Sequence, residues 1–158
     1  MEEGVREATR DDVPRLVELA RAAIRELTPM KGGSVWAARE ARAEPIEEDL
    51  AAAIDDPGRC VLVGTIDEAP IGYGVARVET LGDRSHLGVV DDIFVEDGAR
   101  GIGVGELVMG ELVSWCCAQA CFGIDVMALP GHRAAKNFFE ESGFTARKIV
   151  MHHRLGEP

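Results

Sequence analysis

The chain has 158 residues, of which 46% are hydrophobic, with 17 basic and 28 acidic side chains and a formal net charge of −11. This length fits a single domain over residues 1–158. The negative charge argues against nucleic-acid binding and against docking on an anionic membrane. The N-terminus has no basic region followed by an apolar core, and no apolar run is long enough to span a membrane, so we expect a cytoplasmic protein.

The first half of the chain predicts a strand, two helices and a three-stranded meander. Thr9 and Asp12 have the spacing of a helix capping box, and they precede an apolar stripe at helical spacing that ends near Leu27. A second helix is predicted from Pro45 to the Asp-Asp-Pro-Gly sequence at 55–58. Residues 35–44 have no pattern that clearly predicts a helix or a strand. Strands are predicted at 5–8, 60–66, 71–80 and 86–96, the last three joined by short turns.

The second half predicts a helix over 105–120, a strand over 124–129, a helix over 132–142 closed by Gly143, and a last strand over 145–155 that completes the sheet. A strand, a helix and a strand in this order favour a right-handed crossover between parallel strands. Gly72 and Gly74 in the meander predict close packing or a bulge.

A glycine-rich loop, Arg-Gly-Ile-Gly-Val-Gly, occupies residues 100–105 between a predicted strand and the helix that follows. Successive residues without a Cβ at the start of a helix let free backbone N–H groups approach an anion. The spacing does not fit a dinucleotide fingerprint, which would require a small residue at 106 or 108, and no Gly-Lys-Ser/Thr follows as in a P-loop. The loop therefore predicts a phosphate site, with a turn that binds nothing as the alternative.

Two motifs in the correct order resemble the GNAT superfamily of N-acetyltransferases. The first is the strand and loop over 89–106, with the pattern Arg100-x-x-Gly103-x-Gly105. The second, over 135–144, is similar to the family signature A-x-x-x-[Tyr/Phe]-E-x-x-G-F. The resemblance implies an α/β fold with a central mixed, mostly antiparallel, twisted sheet of about six to seven strands flanked by about four helices. It also implies acetyl-CoA as the acyl donor.

The resemblance assigns the coenzyme to the strand and the loop. Backbone groups of Phe94 and Val95 would pair with the pantetheine arm, and an N–H such as that of Val95 could polarise the thioester carbonyl. The pyrophosphate would be surrounded by the loop residues Arg100, Gly101, Ile102, Gly103, Val104, Gly105 and Glu106. Glu106 stands where similar proteins often carry a small hydroxyl residue, and we expect its carboxylate to point away from the anion.

Two residues near the coenzyme depart from the family pattern. His132 stands where many members have an asparagine, and Phe139 stands where they often have a tyrosine that can protonate the departing thiolate. A phenyl ring cannot donate a proton. Water, Ser142, His132 or Tyr73 would have to substitute, although a thiolate is a tolerable leaving group near neutral pH.

Asp91 and Asp92 are the candidate catalytic residues, because an ammonium must lose a proton before its nitrogen can attack a thioester. Strand alternation would send them to opposite faces, Asp92 with Phe94 and Asp91 with Ile93 and Val95. We favour Asp92 as the base or amine-binding group, with Asp91 as the alternative and a purely structural carboxylate as a third interpretation.

The leading hypothesis is therefore an N-acetyltransferase that moves acetyl from acetyl-CoA to a primary amine of a small molecule or peptide, directly in a ternary complex. A non-catalytic acyl-CoA-binding or regulatory module is the alternative, motivated by Phe139. Residues 28–45 would build the acceptor side of the cleft. Family members often dimerise, so a homodimer is possible.

No metal site is predicted. The four histidines are scattered, and the cysteines at 60, 116, 117 and 121 lack metal-ligand spacing. We expect these cysteines to be buried free thiols.

Overall fold

The computed structural model describes residues 1–156, which form one five-stranded sheet with helices on both faces. The strands are β1 (Glu3–Glu7), β2 (Arg59–Ile66), β3 (Ala69–Thr80), β4 (His86–Val95) and β5 (Gly123–Val126). The helices are α1 (Val13–Leu27), α2 (Gly33–Arg39), α3 (Ile46–Asp55), α4 (Val104–Ala118) and α5 (Arg133–Glu141), with short 3₁₀ turns at Arg10–Asp12 and Asp97–Ala99. The α/β fold class is confirmed, with five strands in this part of the chain rather than six to seven. No helix within residues 1–156 is long and apolar enough to cross a bilayer.

The strands follow one another across the sheet in chain order. Neighbours from β1 to β4 are antiparallel, whereas β4 and β5 are parallel, as the strand–helix–strand order predicted. The parallel pairing covers only residues 87–90 of β4 against 123–126 of β5. Beyond Val90, β4 therefore has a partner on its β3 side alone.

Two apolar clusters bury the two faces of the sheet. One joins α1 and α3 to Tyr73 and its neighbours, and we call it the α1–α3 cluster. The other joins α4 and Phe139 of α5 to the opposite face, and we call it the α4 cluster. A Cβ added to Gly74 would lie 2.7 Å from Val108 Cγ1, so α4 packs directly on the backbone of β3 at this point. The predicted close packing at Gly74 is confirmed.

The entry to α1 is fixed by Asp12, as the capping box predicted. Its carboxylate accepts hydrogen bonds from the backbone N–H of Thr9 at 2.8 Å and from two guanidinium nitrogens of Arg6, each at 2.8 Å. These bonds hold the pKa of Asp12 below its ordinary value, the hydrogen bond from Arg6 being the largest cause, against an opposing effect of burial. The start of α1 is thereby tied to β1.

Helix α2 lies in the stretch that gave no clear signal. It has only seven residues, too few to show a helical period. Its start depends on Gly33, where an added Cβ would lie 2.1 Å from the carbonyl oxygen of Leu27. The tight reversal after α1 therefore requires a residue without a side chain.

The prediction of a last strand over residues 145–155 is wrong for the single chain. Residues 144–155 contain no turn, bend or helix, and they make no backbone hydrogen bond from residue 145 onward in the described part of the chain. All of residues 145–156 are exposed. A side-chain contact remains at the start of the segment, where Arg147 Nε donates to Asp125 Oδ1 of β5 at 2.7 Å. The strand pattern is present, but the segment has no strand beside it.

The expectation of buried thiols is correct for two of the four cysteines. Cys60 and Cys116 are buried, whereas Cys121 is half-buried and Cys117 is exposed. Burial raises the pKa of Cys60 to about 11 and that of Cys116 to about 12.

Candidate active site

A β-bulge interrupts β4 where the two candidate carboxylates lie. Val75 of β3 pairs with Asp92, and the next residue, Ala76, pairs with Val90. Asp91 is therefore an extra residue with no counterpart on β3. A bulge of this kind breaks the regular alternation of side chains between the two faces.

Both carboxylates consequently lie on the face of the sheet that carries α1 and α3. The hydroxyl of Tyr73, in the α1–α3 cluster, donates to Asp92 Oδ2 at 2.6 Å. Arg77 lies four residues further along β3 on the same face, and its Nε is 3.2 Å from both oxygens of Asp91. Ile93 packs in the α4 cluster on the other face. The predicted separation of Asp91 and Asp92 onto opposite faces is wrong, because the bulge inserts one residue into the alternation.

Asp92 is held by a buried hydrogen-bonded network. Arg42 Nη2 lies 2.6 Å from Asp92 Oδ1 and Arg42 Nε lies 3.2 Å from Asp92 Oδ2, so the contact is bidentate. The side chain of Arg42 is 7% exposed and that of Asp92 is 15% exposed. Three donors, counting Tyr73, thus converge on one carboxylate. This arrangement fixes the Asp92 side chain and engages both of its oxygens.

The network also sets the ionisation of its other members. Burial alone would lower the pKa of Arg42, but the negative charge of Asp92 and the hydrogen bonds to it outweigh burial and raise the pKa. Burial raises the pKa of Tyr73 well above its ordinary value, and the charge of Asp92 adds to the effect. Tyr73 is therefore a neutral donor committed to Asp92. Arg42 could not be predicted as a site residue, because residues 35–44 match no motif.

Asp91 is the more accessible of the two carboxylates. Its hydrogen-bond partner among the described residues is Arg77, and its side chain is 31% exposed. Burial raises the pKa of Asp91, partly offset by Arg77, and the nearby charge of Asp92 raises it further. A carboxylate with a raised pKa and an open side is a better proton acceptor than an ordinary aspartate.

The end of β4 presents a free backbone edge beside these carboxylates. The N–H of Glu96 donates to the carbonyl oxygen of Ile71 on β3 at 2.9 Å. Since backbone groups alternate in direction along a strand, Phe94 also faces β3, whereas Val95 faces the free edge. The carbonyl oxygen of Val95 accepts from Arg100 Nε at 2.8 Å, so its N–H is the group that a ligand can reach. The expected backbone pairing fits Val95 but not Phe94.

The glycine loop joins this edge to α4 and carries backbone amides that have no acceptor among the described residues. Gly101 and Gly103 have φ values of +81° and +95°, which side chains rarely adopt. No N–H from Gly101 to Glu106 donates to an acceptor within residues 1–156. A Cβ added to Gly101 would meet no atom within 4 Å, so the space above the loop is open. Six free amides at the start of a 15-residue helix fit an anion such as a pyrophosphate.

The remaining loop residues have separate roles. Val104 is buried in the α4 cluster and anchors the helix, while Ile102 is half-buried. Arg100 lies over the ring of Phe94 at 5.4 Å and its Nη2 is 3.0 Å from Glu26, so its charge is already paired. Arg100 therefore shapes the loop.

Glu106 is exposed, in keeping with the outward position expected for it. Its Oε2 would lie 3.9 Å from a Cβ on Gly103, and Glu3 Oε1 would lie 3.6 Å from the same point. An anion is therefore favoured on the opposite side of the loop, away from these two carboxylates.

The loop between α1 and α2 reaches the loop between β5 and α5. A Cβ added to Gly32 would lie 3.6 Å from Leu129 Cδ2 and 3.8 Å from Pro130 Cδ. Met30 and Trp36 on either side of this contact are half-buried. The contact brings these two loops together.

The sequence matches the Acetyltransferase (GNAT) family over residues 18–144. The chain belongs to this family. Three solved structures share the fold: a tetramutant of the BH1408 protein from Bacillus halodurans (21% identity, 96% of this chain and 99% of that chain, TM-score 0.81), AAC(6')-Iy in complex with a bisubstrate analog (14%, 99% and 99%, 0.75) and glucosamine-6-phosphate N-acetyltransferase from Arabidopsis thaliana (15%, 99% and 100%, 0.71). No curated protein sequence matches the chain.

In this GNAT acetyltransferase the residues of the last helix are placed as follows. His132 is the N-cap residue of α5, and its half-buried side chain makes no hydrogen bond within residues 1–156. Phe139 is 8% exposed and lies in the α4 cluster, with ring centroids 5.7 Å from Phe138 and 6.2 Å from Phe144. Ser142 Oγ donates to the carbonyl oxygen of Phe138 at 2.9 Å. The hydroxyls of Ser142 and Tyr73 are both committed, so His132 is the free protonatable side chain among these candidates.

Proposed function

We propose that the protein is an acetyl-CoA-dependent N-acetyltransferase that acts on a primary amine of a small molecule or peptide. The observation that carries this proposal is the row of free amides over Gly101–Glu106. It continues from the free edge of β4 at Val95, and the accessible carboxylate of Asp91 lies four residues before Val95 on the same strand. Membership of the GNAT acetyltransferase family supports acyl transfer.

The chain would bind the donor through its backbone. The amides over Gly101–Glu106 would receive the pyrophosphate, and the N–H of Val95 would pair with the pantetheine arm or polarise the thioester carbonyl. Acetyl-CoA supplies an acetyl group activated as a thioester. His132 and Phe139 would lie beside it through α5, where Phe139 offers packing and no proton.

The proton of the acceptor amine would pass to Asp91, directly or through one water. The amine nitrogen then forms a bond to the acetyl carbon while the bond from that carbon to sulfur breaks, directly and without an acyl-enzyme, and the nitrogen loses its second proton to solvent. The thiolate takes its proton from water or from His132. Asp92 would act as a positioning residue, because it fixes Arg42 and the strand beside Asp91.

A cationic acceptor fits the electrostatics of the chain. The net charge is −11, and a groove of about 580 Å³ opens between α1 and the end of β4 on the same face as Asp91. The charged residues that line it are the acidic Glu18, Glu26, Glu96 and Asp97 and the basic Arg15 and Arg25. Each of the four carboxylates pairs with an arginine, Glu18 and Glu96 with Arg15 and the other two with Arg100, so the support for a cationic acceptor is the net charge of the chain.

The test is acceptor-dependent release of CoA thiol with a panel of polyamines, aminoglycosides, amino acids and peptide N-termini. With an acceptor in hand, Asp91→Asn should lower kcat/KM by roughly 10²–10⁴-fold while acetyl-CoA binding is unchanged. Asp83→Asn, in an exposed turn after β3, is the matched control and should keep full activity. An active Asp91→Asn beside an inactive Asp92→Asn would assign the base to Asp92 instead.

A second candidate function is a non-catalytic acyl-CoA-binding or regulatory module. The specific observation in its favour is that Phe139 replaces the usual proton donor while the hydroxyls of Tyr73 and Ser142 are committed elsewhere. Tight acetyl-CoA binding with no thiol released by any acceptor would establish this second function. Failure of acetyl-CoA to raise the melting temperature would refute both.

A further inference from the structure

Two cysteines meet at the C-terminal end of α4. The N–H of Cys121 donates to the carbonyl oxygen of Cys116 at 3.1 Å, and the N–H of Ala120 donates to the carbonyl oxygen of Cys117 at 3.0 Å. Ala120 has a φ of +60°, the left-handed conformation of a residue just past a helix end. These features define a Schellman motif, in which the side chains at the positions of Cys116 and Cys121 commonly pack against each other.

The two thiols lie within the reach of a disulfide. Backbone bond lengths and the 3.1 Å hydrogen bond keep the Cα atoms of Cys116 and Cys121 within roughly 7 Å of each other. Disulfides usually join Cα atoms about 4.4–6.8 Å apart. Cys116 is buried in the α4 cluster, and Cys121 packs against that cluster. Burial is the largest cause of the raised pKa of Cys116, and the neighbouring Cys121 thiol raises it further, so the two sulfurs are adjacent.

The other two cysteines are less suitable partners for Cys116. A Cβ added to Gly88 of β4 would lie 2.6 Å from Cys116 Sγ, so this thiol lies over β4. Cys60 lies on β2, two strands away in the sheet, which places the two strands roughly 10 Å apart. Cys117 is exposed, whereas Cys116 is buried. Cys121 is therefore the thiol that Cys116 can reach.

The two thiols differ in their access to solvent. Cys116 is 0% exposed, whereas Cys121 is half-buried. A dissolved oxidant therefore meets Cys121 first, while Cys116 is held beside it and shielded from the reagent. An accessible thiol next to a second, protected thiol is the arrangement of a reacting cysteine and its resolving cysteine.

We propose that Cys121 and Cys116 form an oxidation-sensitive pair that closes an intramolecular disulfide and fastens β5 to the end of α4. With hydrogen peroxide as the oxidant, the Cys121 thiolate attacks one oxygen, the O–O bond breaks, and the released hydroxide takes up the thiol proton to give water. The Cys116 sulfur then attacks the sulfenic acid on Cys121. The S–S bond forms, the S–O bond breaks, and a second water carries away the oxygen with the Cys116 proton. The two thiols are oxidised and the peroxide is reduced to water.

The disulfide would act on the edge of the sheet. Phe122, the residue after Cys121, donates its N–H to the carbonyl oxygen of His86 at 2.9 Å, and β5 begins at the next residue. The pairing with β4 covers only residues 123–126 of β5. A covalent link just before this short pairing limits how far β5 can separate from α4. Oxidation should therefore slow the local opening of β5.

Peroxide treatment of the full chain tests the proposal, with free thiols then counted by alkylation in denaturant. The Cys117→Ser variant, which lacks the exposed thiol, should take three alkyl groups before treatment and one after, and dithiothreitol should restore the other two. Cys117→Ser/Cys121→Ser is the matched control, since it adds the same substitution four residues away, and both of its remaining thiols should survive treatment.

Two further measurements locate the bond and its effect. Tandem mass spectrometry should place the disulfide between Cys116 and Cys121. The amides of residues 123–126 should exchange roughly tenfold more slowly in the oxidised protein than in the reduced protein, as closure of a short loop allows.

Four outcomes would overturn the proposal. Three alkyl groups after treatment would mean that the pair does not oxidise. Two alkyl groups, with a sulfenic or sulfinic acid on Cys121, would mean that Cys116 does not resolve it. A bond that maps to Cys60 would assign a different pair, and unchanged exchange of the β5 amides would show that the bond does not fasten the strand. No acetyl-CoA or acceptor enters these measurements, so the proposed activity is tested separately.

Discussion

The buried network around Asp92 gives the sharpest prediction about stability. Replacing Arg42 by Met removes the bidentate partner but leaves a carboxylate that is only 15% exposed. Breaking a buried ion pair by removing one partner costs roughly 3–5 kcal/mol, because the remaining charge is neither paired nor hydrated. For a chain of this length each kcal/mol shifts the melting temperature by about 2–4 °C, so Arg42→Met should melt roughly 6–20 °C lower. Tyr73 remains as a donor, which places the expected value toward the lower end.

Urea unfolding followed by circular dichroism measures this cost, with thermal melting as a check. Arg39→Met, on the exposed face of α2 with a side chain 68% exposed, is the matched control and should cost no more than about 0.5 kcal/mol. The double variant Arg42→Met/Asp92→Asn should recover at least half of the loss, since the stranded charge is then removed. Equal unfolding midpoints for Arg42→Met and Arg39→Met would refute the reasoning, because they would mean that water reaches Asp92.

Three further predictions concern the glycine loop, the Asp12 carboxylate at the start of α1, and the cysteines. Gly103→Ala should lower the free energy of unfolding by about 1–2 kcal/mol, because φ is positive at this position, and should weaken acetyl-CoA binding measured by calorimetry. Unchanged affinity would mean that the amide geometry at Gly103 is not needed for binding. Asp12→Asn should destabilise the protein at neutral pH. Its arginine partner on β1 lowers the folded pKa of Asp12, so this stabilisation is present above the ordinary value of 3.8 and is lost as pH falls through the folded pKa; a penalty independent of pH between 2 and 7 would contradict this. Cys117 should react rapidly with a thiol reagent in the native protein while Cys60 and Cys116 stay protected, and rapid labelling of all four cysteines would show that their burial is wrong.

Local sequence signals were sufficient where neighbours in the chain determine the structure. The capping box at Thr9 and Asp12, the meander and the crossover around α4 all depend on turns, periods and connections of short range. The anion loop belongs to the same group, since Gly101 and Gly103 are required by the backbone itself. These elements were predicted with boundaries within a few residues.

Features that depend on contacts between distant segments could not be predicted in this way. The bulge at Asp91 exists only because β4 has one residue more than β3 between two paired positions. A single sequence does not show how two strands pair, so it cannot show this difference. Arg42 reaches Asp92 across 50 residues from a stretch without motif or period. The segment over residues 145–155 shows the same limit in another form, because its pattern indicates a strand but no strand lies beside it within residues 1–156.

The bulge at Asp91 has a consequence for how this strand tolerates change. Deleting Asp91 would bring Val90 and Asp92 into succession opposite Ala76 and Val75, which is an uninterrupted antiparallel ladder. Every other side chain of β4 would keep its face. The proposed base thus lies at a position where a residue can be gained or lost while every neighbouring side chain keeps its face of the sheet. A chemical group can therefore enter or leave this strand while the packing of the sheet is conserved.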